Sequence, residues 1–556
     1  MKLSRTFVLI HNRTALGAAR RCVARGYGLI AGSFHIHRQL SQRDLPAIAG
    51  ADLIPDEAAG QVLELVAETV DRVEALLSPE LPDDLRATLL GVLCKGLFEY
   101  FGLLAASGEL GAEILRFDWR RGLVSARSAL RRQLRYARLP ALPVRFGPRR
   151  AGAVAPYELD FRTPSGAKLG NDCGPSRKVR LRLASVRTPS DLLENARLRR
   201  GGVAGPDYTI CVHRNQRIPF TVFATAPETA LDPDLAEFVR TTTEEATRDF
   251  LSHRDAMARF VADFGRPERA RFNFIKHEGM AGFASALSDL GVETTMLSHG
   301  CMVPHGPDVR RRVAERLSSA IYNSHPSIKV IAPRSPLQAA GKLPWQVVDS
   351  VVRLVPPAAE APASLPFRVL FAPNYLPWHE CFHGMAISDF DTYHCIEALA
   401  GVIAGLDDFR MDLRIRTTPL DVANAKRVPE LIAIKPEDVA HLIAPEKGIY
   451  DATYGSHATL IAEADLVVTE GVTAVIFEAL EARKPVLLLQ RSRELTPSLP
   501  SWTLVDLANH IDRNAVYSAS IADDLAAVLQ MIRTRHNGRP LRNEELSGLI
   551  WTDPAS

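Results

Sequence analysis

The sequence predicts an α/β fold built on two doubly wound parallel sheets, and three observations predict it. Between Asp207 and Val330, short apolar runs of strand length alternate with amphipathic runs of helix length. A Pro/Ala-rich stretch then interrupts the alternation, and the same alternation restarts beyond it. Finally, 556 residues with 46% hydrophobic and 24% charged side chains, and a mean hydropathy of -0.03, can bury a sizeable core. That composition excludes a disordered tail, a fibrous repeat and a disulfide scaffold. The 67 Lys+Arg against 64 Asp+Glu leave +3, so no global field marks a nucleic-acid binder. Seven scattered cysteines (22, 94, 173, 211, 301, 381 and 395) without a C-x-x-C pair point to reduced thiols in a cytosolic compartment.

Taken in order, Thr6 to Ile10 reads as a buried first strand, being shorter than the ~7–15 apolar positions of a signal-peptide core. Residues 56–135 carry apolar positions at helical spacing, among them Val62, Leu65, Val66, Val70, Val73 and Leu76, and read as a helical insertion. The most apolar stretch, Thr88 to Ala106, holds Lys95 and Glu99 near its middle, which favours a buried globular helix over a membrane span. From Arg116 to Arg150 there are eleven arginines and one acid, interleaved with Phe117, Trp119, Leu123, Leu130, Leu134 and Tyr136. Such a basic amphipathic stretch reads either as a contact to an anionic membrane surface or as a solvated arginine face.

Further on, Tyr208 to Val212 and Phe272 to Ile275 read as strands, and Ala281 to Leu290 as a helix leading into a strand at Glu293 to Leu297. Residues 356–366 hold four prolines and four alanines and read as a semi-rigid linker. The predicted organisation is therefore an N-terminal domain over 1–355 with a helical insertion at about 56–150, the linker, and a C-terminal domain over 367–556. In the latter, strands are expected at Phe367 to Ala372, Met411 to Arg416, Val439 to Ile443, Leu466 to Thr469 and Pro485 to Leu489. Helices are expected at Tyr393 to Leu406, Thr453 to Glu463 and Ala474 to Ala482. Ligands of open α/β sheets bind at the carboxyl ends of strands, so the loops after Ala372, Arg416 and Thr469 should line the site.

The segment from Asp465 to Leu489 carries the most chemistry. A strand ends at Thr469, a turn of Glu470, Gly471, Val472 and Thr473 opens a helix at Ala474, and Pro485 begins the next strand. With Thr473 as helix cap, the first-turn amides and its hydroxyl can receive a phosphate oxygen; the same pattern also suits an ordinary βαβ crossover. In the N-terminal half, Lys276-His277-Glu278-Gly279 and Ser298-His299-Gly300 each follow a strand. Glu278 is chemically apt as a base for a hydroxyl, or as a cap for the helix after it. His299 either orients a substrate or is a satisfied loop histidine. Arg310, Arg311 and Arg312 lie nearby as attractors of an anion. His379, Cys381, His383, His394 and Cys395 cluster in sequence, but their spacing does not match a zinc site and no metal is expected.

The segment at 465–489 resembles the donor-binding signature of two-domain (GT-B type) glycosyltransferases and of the related nonhydrolysing nucleotide-sugar 2-epimerases. The resemblance implies that Thr473 holds the nucleotide phosphate and that Glu478 meets the ribose. Bacterial surface-polysaccharide transferases of the sialyl-, Kdo- and nonulosonic-acid-transferase-like groups share further features with this chain. These are Ala372-Pro373-Asn374, the aspartate-aromatic start Asp389 to Tyr393, and the basic run Arg414-Ile415-Arg416-Thr417-Thr418-Pro419. Thr418 stands where those families have a phosphate-contacting histidine, a place that His379 or His383 is expected to fill. Ser298-His299-Gly300 resembles their Gln-His-Gly, and Glu278-Gly279 their acidic-Gly motif, which implies Glu278 as the base.

The resemblance thus implies two facing Rossmann-like domains and transfer of a sugar from a nucleotide-sugar co-substrate to a glycan or protein acceptor. A CMP-linked nonulosonic or Kdo-like acid is among the donors it implies. Glu278 and His299 are the expected catalytic pair. Asn374, His383, Arg416, Glu470, Gly471, Thr473, Ala474 and Glu478 are the expected donor site. No metal or other cofactor and no nucleic-acid partner are expected. The setting is cytoplasmic, with residues 116–150 as the candidate contact to the inner membrane. Two other readings stand beside it: an epimerase of the same fold, and a non-catalytic nucleotide-binding assembly module.

Overall fold

The computed structural model describes residues 6–10, 13–32, 34–54, 56–118, 122–126, 157–160, 177–184, 208–211, 217–272, 278–297, 328–333, 347–351, 366–373, 389–414, 439–442, 447–451, 458–470, 474–491 and 515–546. Among these residues the strands form three sheets, one more than the sequence predicts.

The first sheet takes β1 (Thr6–Ile10), β2 (Gly28–Ala31), β3 (Ile48–Ala49), β4 (Glu113–Asp118) and β5 (Gly122–Ser125) in the order β3-β2-β1-β4-β5. All neighbours are parallel except β4 and β5, which form an antiparallel edge. Four helices accompany it: α1 (Arg13–Ala24), α2 (Phe34–Ser41), α3 (Asp56–Leu76) and α4 (Asp83–Leu110). Val62, Val66, Val70 and Val73 turn one stripe of α3 into the core, whereas Leu65, off that stripe, is 45% exposed. Helix α4 buries Leu85, Leu89, Leu93 and Leu97, leaves Lys95 in solvent and ends on Gly111 in the left-handed region (φ 54°). It is long and apolar enough to span a membrane, yet two thirds (67%) of its most apolar window is buried in the protein, as expected for a core helix.

In the second sheet lie β6 (Tyr157–Asp160), β7 (Arg177–Ala184), β8 (Tyr208–Cys211), β9 (Arg269–Phe272), β10 (Glu293–Leu297), β11 (Lys329–Pro333) and β12 (Val347–Val351). They run parallel in the order β12-β11-β10-β9-β6-β7-β8. Helix α5 (Pro233–Phe264) is capped by Asp232, whose carboxylate accepts from the amides of Asp234 and Leu235. Helix α6 (Glu278–Asp289) leads from β9 into β10. Tyr100 of α4 meets Phe238 of α5 with ring centroids 5.0 Å apart, and one apolar cluster runs from Phe7 and Leu9 of β1 through α4 and α5 to Ala270, Phe272 and Met296. The first two sheets therefore share a single core.

The third sheet comprises β13 (Phe367–Phe371), β14 (Phe409–Arg414), β15 (Gly448–Asp451), β16 (Leu466–Thr469), β17 (Val486–Gln490) and β18 (Val516–Ser520). All are parallel, in the order β15-β14-β13-β16-β17-β18. Around it stand α7 (Asp389–Ala404), α8 (Ala458–Glu463), α9 (Ala474–Glu481), α10 (Leu525–His536) and α11 (Asn543–Leu546). Successive residues of β16 and β17 are buried on both faces, and separate apolar clusters cover the two faces of the sheet.

The α/β class with doubly wound parallel sheets holds, and several details differ. The predicted helical insertion is helical only as α3 and α4, within residues 56–110; the chain then returns to the first sheet, with β4 pairing against β1. Consequently residues 116–118 and 122–125 of the arginine-rich stretch are strand rather than amphipathic helix, and residues 127–150 lie outside the described residues. Strand β9 begins at Arg269, three residues before the predicted Phe272 to Ile275, of which residues 273–275 lie outside the described residues. Ala270 and Phe272 point inward while Arg269 and Arg271 reach the buried Glu158, at 3.0 and 4.0 Å, so the arginines disguise the strand. Val439 to Ile443 is no strand: a 3-10 turn occupies Ala440–Leu442, and Gly448–Asp451 takes the place beside β14. Five apolar residues between Pro436 and Pro445 do not distinguish the two outcomes. The linker, apart from Pro366, also lies outside the described residues.

Candidate functional site

Strand order reverses direction between neighbours at one place in each doubly wound sheet, and the crevice outside the carboxyl ends there is where such folds bind ligands. In the third sheet the reversal falls between β13 and β16, bridged by the Ala372 amide donating to the Val468 carbonyl at 2.9 Å. Helix α9 opens at Ala474, four residues after Glu470 at the end of β16. In the second sheet the reversal falls between β6 and β9, and α6 begins at Glu278 on that edge.

The rim of the third sheet is built from polar groups. Glu470 follows β16 directly and is 1% exposed; its carboxylate accepts from the Thr392 hydroxyl in the first turn of α7. Cys395, one turn further along α7, is wholly buried, with its thiol 4.0 Å from the Leu489 carbonyl. Burial, with the charges of Glu470 and Asp391, pushes that thiol well above its ordinary range. Arg491 follows β17 and donates to Asp391 at 3.5 Å and to Asp52 at 2.7 Å. Burial alone pulls its guanidinium pKa down, but the bond to Asp52 and the charges of Asp52 and Asp391 outweigh this and the net shift is upward. Arg414, at the end of β14 beside the reversal, is 5% exposed, so that arginine does not belong to a solvated strand face.

The first sheet reaches this rim. Asp52 lies just past the end of β3, and Phe34 just past the end of β2. Phe34 stacks on Tyr393 of α7 at 4.0 Å, and both Phe34 and His37 meet Phe390 edge-on, at 6.0 and 5.8 Å. Phe390 is 2% exposed and belongs to the apolar cluster under β1 and α1. Carboxyl-end segments of the first and third sheets thus meet each other.

Of the residues expected from sequence, Glu278 is the first residue of α6 and Ala474 the first of α9. Glu478 lies half-buried within α9. Glu470, expected to meet a donor, is turned into the protein instead and braces α7. Asn374, His383, Arg416, Gly471, Thr473 and His299 lie outside the described residues, as do Thr418, His379, Cys381 and Arg310 to Arg312. Topology nevertheless brings their attachment points together. Asn374, Arg416 and Gly471 follow the adjacent strands β13, β14 and β16, while Glu278 and His299 follow the adjacent β9 and β10. His394 and Cys395, which the sequence groups as metal-ligand types, diverge: Cys395 is core and the half-exposed His394 pairs with Glu397 at 3.7 Å. Among the described residues no group of three His, Cys, Asp or Glu side chains forms a metal site.

Asp52, Asp391, Thr392 and Arg491 were not foreseen as site residues. Arg491 carried one usable signal, a charge directly after a fully buried strand, whereas its partner Asp52 is 439 positions away and left no trace in the sequence.

No family model matches the chain, and no curated protein matches it. Solved structures similar to it include MurG of Acinetobacter baumannii, at 11% identity over 69% of this chain and 92% of that one, with a TM-score of 0.35. A glycosyltransferase from Rickettsia africae shares 11% identity over 71% of this chain and 95% of its own, with a TM-score of 0.34. The spinosyn rhamnosyltransferase SpnG shares 13% over 69% and 93%, with a TM-score of 0.36. Likeness at that level carries no argument about this chain, whose reading rests on its own residues.

Proposed function

We propose that this chain is a glycosyltransferase that takes a sugar from a nucleotide donor and delivers it to a hydroxyl of a glycan or protein acceptor. The observation that carries the reading is the third sheet. Its strand order reverses between β13 and β16, and three residues, Gly471, Val472 and Thr473, separate Glu470 at the end of β16 from the amide end of α9. That combination suits the phosphates of a nucleotide, because unpaired amides and the positive helix end favour an anion. The buried Arg414 on the neighbouring strand adds positive charge. On the second sheet, Glu278 opens α6 at the other reversal, which supports it as the group that takes the acceptor proton.

In the proposed reaction the acceptor oxygen bonds to the anomeric carbon as the bond from that carbon to the donor phosphate breaks. The hydroxyl proton passes to the Glu278 carboxylate. The charge appearing on the departing nucleotide is met by Thr473, the α9 amides and Arg416. Surface glycans and a CMP-linked nonulosonic or Kdo-like acid are the acceptor and donor classes suggested by the sequence resemblance. The setting we propose is the cytoplasmic face of the inner membrane, with the arginine-rich stretch at 116–150 as the contact.

A thermal-shift screen of the full chain against CMP, UDP, GDP and CDP tests the donor site. One nucleotide should raise the melting temperature, since a ligand bound only by the folded state stabilises it. Thr473→Val should abolish the shift, and Glu278→Gln should keep it while removing sugar transfer in cells. Absence of any shift, or unaltered glycans with both variants, would sink the reading.

A further inference from the structure

Arg491 stands on the third sheet yet is bound to the first. Its strand, β17, pairs directly with β16 in a register that sets Thr469 beside Leu488, so Arg491 leaves the sheet on the adjacent strand two residues beyond the level of Glu470. One guanidinium arm reaches Asp391, whose neighbour Thr392 is fixed by Glu470 at the reversal; another reaches Asp52 across the boundary between the two sheets. The guanidinium is therefore beside the carboxyl end of the third sheet, partly exposed at 29%, and held by the largely buried Asp391 of α7.

The two halves of this contact differ in kind. Phe34 against Tyr393, and Phe390 sunk in the cluster beneath β1, form an apolar joint that involves no charge. The ion pair to Asp52 is not needed for that joint, and Asp52 is 48% exposed. A half-exposed single carboxylate is a weak partner for arginine, whereas a phosphoryl group offers several oxygens, more charge and a two-pronged fit to the guanidinium. Among the described residues the other charges near this point are Asp391 on α7, the buried Glu470, and Glu397 of α7 and Arg38 of α2, both of which act on Tyr393.

We propose that Arg491 is a phosphoryl-binding residue of the crevice between the first and third sheets, and that Asp52 occupies its guanidinium until a donor phosphate displaces it. This rests on the reading of that crevice as a nucleotide-sugar site and adds a wall to it, since the first sheet then takes part in donor binding. Donor entry exchanges the bond from Arg491 to Asp52 for a bond from Arg491 to phosphate, while the aromatic joint holds the two sheets in place.

The test is calorimetric titration of the full-length protein with inorganic pyrophosphate and with the four nucleotides, at one fixed ionic strength. Asp52→Asn removes the competitor and should tighten pyrophosphate binding by about three- to tenfold. Arg491→Ala should weaken it by about tenfold or more, and Arg491→Lys should fall between, because lysine keeps the charge and loses the fork. Circular dichroism melts establish that each variant is folded. If pyrophosphate follows this pattern while no nucleotide binds, Arg491 is confirmed as the phosphoryl site and the nucleotide-donor reading fails. If a nucleotide binds wild type, Asp52→Asn and Arg491→Ala alike, the donor reading survives and this proposal is overturned. Absence of binding by pyrophosphate and all nucleotides overturns both.

Discussion

The two candidate crevices are held open by different physics. Around the third sheet, polar side chains share the fixing with the aromatic joint of Phe34, Phe390 and Tyr393: Glu470 holds Thr392, and Arg491 spans Asp391 and Asp52. Around the second sheet, α6 is set by close backbone approach to α5. A Cβ on Gly282 would fall on the Phe250 carbonyl oxygen, and one on Gly279 would lie 2.5 Å from the Nε2 of His253. His253 is itself pinned, its Nδ1 2.7 Å from the Asp249 carbonyl, and is 4% exposed. Glu278 is next to Gly279, so the carboxylate proposed as base is carried by a helix whose position depends on two missing methyl groups. Packing of this sort is insensitive to charge and salt, and the ion pair beside it, Arg254 to Asp289, is partly exposed and weak, whereas the polar rim should respond to both.

The largest effect expected of any substitution that breaks this contrast is at Gly282. Its obstacle is backbone, which cannot swing aside, so Gly282→Ala must separate α5 from α6. We expect a loss of about 2–3 kcal/mol, the range found for overpacked cores. Because the chain has more than one core, regional hydrogen exchange is the suitable measurement. Protection should fall in α5 and α6 and stay unchanged in the third sheet. Equal loss in both regions would show that the two crevices are not independently built.

Glu470 provides the converse test with a smaller effect. Glu470→Ala leaves the Thr392 hydroxyl buried without its acceptor, at an expected cost of about 1–2 kcal/mol. Glu470→Gln retains an amide oxygen that still accepts, and should cost less. Exchange should rise in α7 and at the end of β16, and α6 should be unaffected. If the alanine and glutamine variants behave alike, the bond to Thr392 is not what fixes α7.

The difference between the regions also explains what the sequence revealed. Strands β16 and β17 are buried on both faces and read as near-continuous apolar runs, and β13 departs from that pattern only at Arg368, so all three were legible in the sequence. Strand β9 has two arginines in four residues, because it lies against the buried Glu158; alternation of charge concealed it. The first sheet went unrecognised as a separate sheet because its fourth strand returns only after two long helices, and pairing between Thr6 and Glu113 is not written in either segment. At the candidate site, positions that follow strands could be proposed from sequence because strand ends are local signals. The bonds from Arg491 to Asp52 and from Thr392 to Glu470 join residues far apart in the chain, and no spacing rule contains them.

Acid sharpens the comparison last and most finely. At the far edge of the third sheet, Glu545 of α11 accepts two bonds from Arg539, both 2.7 Å, and one from the Arg542 amide at 2.8 Å. The bond from Arg539 outweighs burial and lowers the Glu545 carboxyl from 4.5 to about 2. A depressed carboxyl stabilises the folded state fully above its unfolded pKa, and that stabilisation fades as pH falls from about 4.5 toward 2. Allowing for the partial exposure of Arg539, the amount at neutral pH is about 1 kcal/mol. Glu545→Gln should therefore destabilise α10 and α11 by that amount at pH 7, and the difference from wild type should vanish near pH 2. The carboxylate described between α6 and α5 is that of Asp289, which accepts from Arg254 at 2.6 Å; that pair is partly exposed and therefore weak, so α6 should show a smaller acid step than α10 and α11. Regional exchange at several pH values would measure both, and an acid step of equal size in α6 would erase the distinction between a rim fixed by charge and a helix fixed by shape.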